Sequence, residues 1–270
     1  MAATILDTII ENKRRELAGT MSARPLDQVR RDALTAAPSR DFHRAVFGPA
    51  AADDIRLIAE IKKASPSAGM IREDFDPVAI GRAYETAGAS ALSILTDRAY
   101  FRGDVAFIEA VKRSVSIPVL QKDFIVDPYQ IFESRAAGAD AVLLIASVLS
   151  PPEIDALSAI SHQLGMSTLI EVHNEAELRA VLPFIGAARR NLLGINNRDL
   201  KIQKTDLDTT RRLAALVPPG TPFVAESGIA SREDVLTVQQ HGAAAMLVGE
   251  VLMRARDIAH ETRVLLGRPA

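Results

Sequence analysis

The chain has 270 residues, 48% of them apolar and 24% charged, with a formal net charge of −2. Its 32 basic and 34 acidic residues are intermixed along the chain, which argues against a nucleic-acid-binding tail, and the apolar content suffices for a large core. There is no cysteine, so disulfide frameworks and thiolate chemistry are excluded. No basic segment followed by an apolar one opens the chain, and the longest apolar run, around Ala141 to Ala146, is too short to cross a bilayer. The expected setting is cytoplasmic, with no membrane and no nucleic-acid partner.

In chain order, Ile5, Leu6, Ile9, Ile10, Lys13 and Leu17 form one helical stripe beside the charged face Glu11 to Glu16. Short helices are expected after Pro25 and after Ser39-Arg40-Asp41. Eight short apolar runs follow, and nearly all end in a polar or charged residue. They are Leu57 to Lys62, Ala91 to Asp97, Pro118 to Asp123, Ala141 to Ala146, Thr168 to Val172, Asn191 to Asn196, Pro222 to Ser227 and Ala244 to Glu250. Between successive runs lies an amphipathic stretch long enough for one helix. Asp76-Pro77 and Asp127-Pro128 are cap-plus-proline helix starts, Ser231 to Asp234 is a capping box, and Gly88, Gly138, Gly165 and Gly242 sit where helices should end. No Gly-x-Gly-x-x-Gly turn follows any strand, which argues against a doubly wound open sheet. The prediction is an α/β fold: a single (β/α)8 TIM barrel domain over residues 1–270, with residues 1–50 as a helical N-terminal extension.

In that fold the strand C-termini meet at one mouth, where the chemistry sits. Side chains two apart on a strand share a face. Glu60 with Lys62, Leu120 with Lys122, Leu169 with Glu171, Gly194 with Asn196, and Val224 with Glu226 are such pairs. Facing inward, they bring two lysines, three carboxylates and one amide into one mouth, a grouping stable only if its members pair with each other and with a ligand. A phosphorylated small-molecule substrate is expected from Ser65-Pro66-Ser67-Ala68-Gly69 after the first run, Glu226-Ser227-Gly228-Ile229 at the seventh and Val248-Gly249-Glu250 at the eighth. Small residues after strands seven and eight are where this fold cradles phosphate. The Glu250 carboxylate would repel such a group, so only its backbone is expected to contribute, with the side chain turned outward. The five histidines, His43, His162, His173, His241 and His260, are scattered without partners at ligand spacing, so no metal site is expected. His173 is expected to face away from Glu171.

Ala59-Glu-Ile-Lys-Lys-Ala-Ser-Pro-Ser67, Leu120-Gln-Lys-Asp-Phe124, Leu169-Ile-Glu-Val172, Gly194-Ile-Asn-Asn-Arg-Asp-Leu200 and Ala225-Glu-Ser-Gly-Ile229 closely resemble the indole-3-glycerol phosphate synthase family of tryptophan biosynthesis. The likeness extends to the opening helix, from Ile5-Leu-Asp to Lys13-Arg-Arg-Glu16. It implies a carboxy-lyase that converts 1-(2-carboxyphenylamino)-1-deoxyribulose 5-phosphate to indole-3-glycerol phosphate, releasing carbon dioxide and water without a cofactor. By the same resemblance Lys122 is the general acid, and Lys62 holds the substrate carboxylate and is a candidate acid in the later dehydration. Glu171 lies near the anilino nitrogen, to stabilise iminium charge or act as base, Glu60 is an acid/base of the dehydration, and Asn196 and Glu226 orient sugar hydroxyls and the lysines; the division of acid/base roles among Lys122, Lys62, Glu171 and Glu60 stays open. Ser65, Arg198, Ser227, Gly228, Gly249 and Glu250 are the implied phosphate site, and Phe101, Phe124, Leu143 and Leu200 the implied slot for the aromatic ring. The resemblance also suggests that the extension lies across the mouth, with about Pro25 to Phe47 contributing to closure. Association with other tryptophan-pathway enzymes and the direction in which Lys122 titrates stay open. Two alternatives are another phosphosugar barrel enzyme, similar to phosphoribosylanthranilate isomerase or a histidine-pathway barrel, and a non-catalytic barrel that binds a phosphorylated ligand. The Glu-x-Lys pair on the first strand argues against the former, and the filled set of matching positions against the latter.

Overall fold

Eight parallel strands close around one axis in the computed structural model, which describes residues 4–48, 55–186, 190–200 and 204–269. Residues 1–3 and 49–50 of the predicted extension lie outside that set. The strands are β1 (Arg56–Ile61), β2 (Ala91–Leu95), β3 (Val119–Lys122), β4 (Ala141–Ile145), β5 (Ser167–Val172), β6 (Asn191–Asn196), β7 (Phe223–Glu226) and β8 (Ala245–Val248). Each pairs with its neighbour in sequence. β1 completes the ring by pairing with both β2 and β8, Ile58 opposite Ala91 and Leu57 opposite Met246. This is the predicted (β/α)8 barrel.

The strands are apolar on both faces because both are covered. Leu57, Leu92, Val142, Ile170 and Leu193 belong to the outer layer under the helices, and Ile58, Leu120, Leu143, Leu169, Leu192, Val224 and Leu247 fill the barrel. The expected helix starts form as the residues dictate. Asp76 Oδ1 accepts the N–H groups of Val78 at 2.9 Å and Ala79 at 3.1 Å ahead of the helix Pro77–Ala87, which ends at Gly88 with φ +99°. Ser231 and Asp234 cap one another's backbone at the start of Arg232–Gln240. Five strands, β2, β3, β4, β7 and β8, are shorter than their apolar runs. β2 stops at Leu95 because Asp97 caps a short helix, Arg98–Phe101, accepting Tyr100 N–H at 2.8 Å. β8 stops at Val248 because Gly249 opens the helix Glu250–Arg254.

The extension divides among three places. α1 (Ile5–Ala23) lies over the mouth, where Leu6 and Ile9 join Phe124, Leu143 and Leu247 in the inner core. Lys13 on the same helix is buried, and its ammonium pairs with Asp97 and Asp123 at 2.8 Å each, beyond the ends of β2 and β3. Burial disfavours that charge, yet the two aspartates outweigh burial and hold Lys13 above the ordinary lysine range. α2 (Leu26–Thr35) packs on the flank against the helix Pro128–Ala136, buries Val29 and Ala33, and leaves Arg24 O to accept the Tyr129 hydroxyl at 2.9 Å. α3 (Phe42–Phe47) plugs the opposite end of the barrel. Phe42 and Val46 are fully buried in one cluster with Ala91, Ala141 and Ala245, the first residues of their strands. Just before α3, Arg40 N–H donates to Asp140 at 2.5 Å, ahead of β4. The expectation that Pro25 to Phe47 closes the mouth is therefore corrected: that stretch covers flank and floor, and α1 is the part at the mouth. The floor offers an apolar disc of strand starts that α3 can bury; the mouth instead offers carboxylates that a lysine can pair. Among the described residues, no helix is long and apolar enough to cross a membrane.

Candidate active site

Lys122 ends β3 on the barrel's inner face, and its ammonium donates to Glu171 Oε2 at 3.0 Å and to Glu226 Oε2 at 2.9 Å. These carboxylates end β5 and β7, so three strands deliver one cation between two anions. Burial alone lowers an ammonium's pKa. Here the charges of Glu171, Glu226 and Glu60 outweigh it and hold Lys122 above the ordinary lysine range, so it stays protonated. That resolves the direction left open above. The two acids diverge. Burial pushes both upward, but Lys122 and His173 hold Glu171 well below the usual carboxylate range, whereas Glu226, opposed only by Lys122 and repelled by Glu171, is pushed up to about 7. Glu226 Oε1 is buried without a hydrogen-bond partner. It lies against Gly194 on β6, where any Cβ would collide with it, which explains a glycine on an inward-facing position.

His173 does not face away from Glu171, contrary to expectation. The chain stays extended through Val172, and residues two apart then share a side. His173 Nε2 lies 3.2 Å from Glu171 Oε1, while Nδ1 lies 3.1 Å from Glu177 Oε2. Burial lowers the imidazole pKa, but the two carboxylates raise it further, to about 10.

On β1, Lys62 Nζ donates to Glu60 Oε1 at 2.5 Å, both groups nearly buried. Burial raises the Glu60 carboxyl; Lys62, then Lys122, more than reverse that, and it is ionised. Gly249 at the end of β8 gives the Glu60 side chain its room, since a Cβ there would meet it.

The rim around the β1 and β6 loops holds a set of donors around Arg198. Its guanidinium donates to Ser67 Oγ at 3.3 Å and Thr205 Oγ1 at 3.3 Å, and lies 3.7 Å from Glu250 Oε2. Its backbone N–H donates to Asn196 Oδ1 at 2.9 Å, so Asn196 also fastens the β6 loop. Ser65 Oγ accepts Ala68 N–H at 3.2 Å and lies 3.5 Å from Ser67 Oγ. Ser227 and Gly228 have φ of +65° and +79°. A serine held at positive φ is strained, and such strain concentrates at functional sites. Glu250 is not turned outward as expected. Its carboxylate bridges Arg254 at 3.1 Å and Arg198 at 3.7 Å, because two cations flank it at the rim.

Between these groups lies a cavity of about 420 Å³, the size of a small-molecule site. Every residue predicted for the site lines it except Ser65, which sits just behind Pro66 in the β1 loop. The apolar wall contains Phe101 and Phe124, rings 6.2 Å apart and tilted at 43°, with Leu143 and Leu200. Among the described residues, no group of three or more His, Cys, Asp or Glu could hold a metal ion; the acids here enclose lysines instead.

A family model described as indole-3-glycerol phosphate synthase matches residues 6–265. The chain belongs to the indole-3-glycerol phosphate synthase family. Indole-3-glycerol phosphate synthase of Chromobacterium violaceum is 47% identical over 253 residues, 94% of each chain. That of Rhodopirellula baltica is 46% identical over 263 residues, 97% of this chain and 99% of its own. Among solved structures, a 3-hexulose-6-phosphate synthase has a TM-score of 0.61 at 16% identity, covering 80% of this chain and 100% of its own. A mutant tryptophan synthase alpha-subunit from Pyrococcus furiosus has a TM-score of 0.59 at 16% identity, covering 80% and 99%. At such identities these two likenesses show the barrel alone. Four features of this indole-3-glycerol phosphate synthase family member escaped sequence reasoning. Leu6 and Ile9 line the cavity from α1, Arg254 and Thr205 line its polar rim, Lys13 anchors α1 over the mouth, and His173 contacts Glu171. A lysine inside an otherwise apolar helical stripe was a usable signal for Lys13. The two-residue spacing from Glu171 was one for His173.

Proposed function

We propose that this mouth closes an indole ring, converting 1-(2-carboxyphenylamino)-1-deoxyribulose 5-phosphate to indole-3-glycerol phosphate with loss of carbon dioxide and water. The observation that carries it is Lys122, its ammonium held between Glu171 and Glu226, next to an apolar aromatic wall and opposite the Ser65, Arg198 and Ser227-Gly228 donors. The anthranilate ring lies against Phe101, Phe124, Leu143 and Leu200, the phosphate sits at Ser65, Arg198, Ser227, Gly228 and the Gly249-Glu250 backbone, and Lys62 takes the substrate carboxylate. A ring carbon then attacks the ribulose carbonyl. Lys122 donates a proton to the oxygen as it becomes an alkoxide, a stronger base than any amine, so a raised lysine pKa does not block the transfer. Glu171, held as an anion, stabilises the positive charge that develops on the anilino nitrogen. Loss of carbon dioxide returns electrons to the ring. Departure of the hydroxyl as water then takes a proton from Lys62, Glu60 accepts the proton that the methylene carbon beside the nitrogen gives up as the ring double bond forms, and Asn196 and Glu226 orient the sugar hydroxyls. The conversion is redox-neutral and needs no cofactor. The substrate is a small phosphorylated molecule, and the cytoplasm is the setting we assign. The barrel and its three N-terminal helices work as one domain. Incubating the purified chain with the ribulose substrate should produce the indole absorbance and fluorescence of the product. A folded chain that gives no indole signal overturns the assignment.

A further inference from the structure

Two carboxylates, Glu171 and Glu226, contact the same buried ammonium, and their like charges at this distance disfavour full ionisation of both. Burial and that repulsion favour a proton on one of them as pH falls below neutral. The surroundings break the tie. Glu171 has a second cation, His173, whose Nε2 lies 3.2 Å from Glu171 Oε1; the contact is an ion pair rather than an aligned hydrogen bond. Glu226 has no second partner, since its Oε1 is buried without a donor.

His173 is held from behind. Glu177 Oε2 accepts the His173 backbone N–H at 2.8 Å and lies 3.1 Å from Nδ1. Glu177 is itself fixed, its Oε1 accepting the Asn174 side-chain amide at 2.7 Å and its N–H donating to Asn174 Oδ1 at 3.0 Å. A carboxylate within 3.2 Å of each ring nitrogen favours a proton on both, so the imidazole carries a charge. The charged groups facing His173 are Glu171 from β5 and Glu177 from the helix Glu175–Val181. Those facing Glu226 are Lys122 and Glu171. Neither His173 nor Glu177 lines the cavity, although Glu171 does.

We propose that His173 and Glu177 form a positioning couple that keeps Glu171 anionic beside Lys122 and so assigns the shared proton to Glu226. This rests on the catalytic role given above to Lys122 and Glu171. His173 touches no substrate; it acts through Glu171. Without it the two acids become nearly equivalent, the proton divides between them, and Glu171 is neutral for part of the time below neutral pH.

The test is the pH dependence of turnover in His173→Gln and Glu177→Gln, with nitrogen-15 NMR of the histidines in the unmodified enzyme. In His173→Gln an acidic limb should appear in kcat below neutral pH: one proton divided between two equivalent acids leaves Glu171 ionised about half the time, so turnover near pH 6 falls about twofold and recovers toward the wild-type value at higher pH. KM should stay within about twofold, because the cavity is untouched. Glu177→Gln should show the same limb with a smaller amplitude. In the unmodified enzyme both His173 ring nitrogens should remain protonated past about pH 9. A kcat lowered by one factor at every pH, with no such limb, overturns the couple. So does a His173 that titrates near the usual histidine value, which needs no variant to fold and no substrate. The Lys122 assignment fails separately, by an active Lys122→Met, and that leaves the NMR result unaffected.

Discussion

Replacing Lys122 with methionine removes the proposed proton donor while keeping a side chain of similar length. The ammonium makes two contacts, 3.0 Å to Glu171 and 2.9 Å to Glu226. After substitution Glu226, already pushed up to about 7, takes a proton readily. Glu171 keeps His173 at 3.2 Å, so no carboxylate is left wholly unpaired. The stability loss should therefore sit at or below the low end of the ~3–5 kcal/mol typical of a broken buried pair. Turnover should fall by about two to four orders of magnitude, equivalent to ~3–5 kcal/mol of transition-state stabilisation. KM should change by less than about threefold, because Lys62 and the phosphate donors remain. Steady-state indole fluorescence, run beside circular dichroism and a thermal melt, separates the two effects. A folded variant that retains more than about a tenth of wild-type turnover removes Lys122 from the acid role.

Lys13→Met strands Asp97 and Asp123, should cost about 3 kcal/mol in denaturant unfolding, and should raise KM while lowering kcat as α1 loosens; unchanged kinetic constants would make α1 mere packing. Deleting residues 1–47 removes the floor plug as well, so circular dichroism should report an unstable barrel, since the burial of Phe42 and Val46 against the strand starts, worth ~1.5–3 kcal/mol each, is lost. Crystals grown with sulfate or phosphate should show an anion between Ser65, Arg198 and the Ser227-Gly228 turn; consistent occupancy of a different strand-end loop would count against the phosphosugar assignment. His173 binds its proton more tightly folded than unfolded, so its ion pairs stabilise fully below its ordinary value of 6.5, and that contribution is lost as pH rises through about 10. The melting-temperature gap between wild type and His173→Gln should thus be widest near pH 6 and shrink by about pH 10.5; a gap independent of pH would refute it.

Sequence alone determined the eight strands, their order and the inward set Glu60, Lys122, Glu171, Asn196 and Glu226. Each rests on local rules: strand alternation, runs buried on both faces, and caps such as Asp76 and Ser231 that act within one turn. The same rules also held the His173 contact, two residues past Glu171, although it was expected to face away. Only the tertiary structure decided which charges meet. Lys122 lies 49 residues from Glu171 and 104 from Glu226, and nothing local distinguishes that grouping from pairing with Lys62. It also decided the destination of each N-terminal helix. An apolar stripe shows that a helix docks; whether it docks on mouth, flank or floor depends on what those surfaces present. Here the mouth presents Asp97 and Asp123 to Lys13, and the floor presents a disc of alanines to Phe42 and Val46. The divergence of Glu171 from Glu226 is of the same kind. Two identical carboxyls on equivalent strand ends differ because one has His173 beside it and the other has bare Gly194.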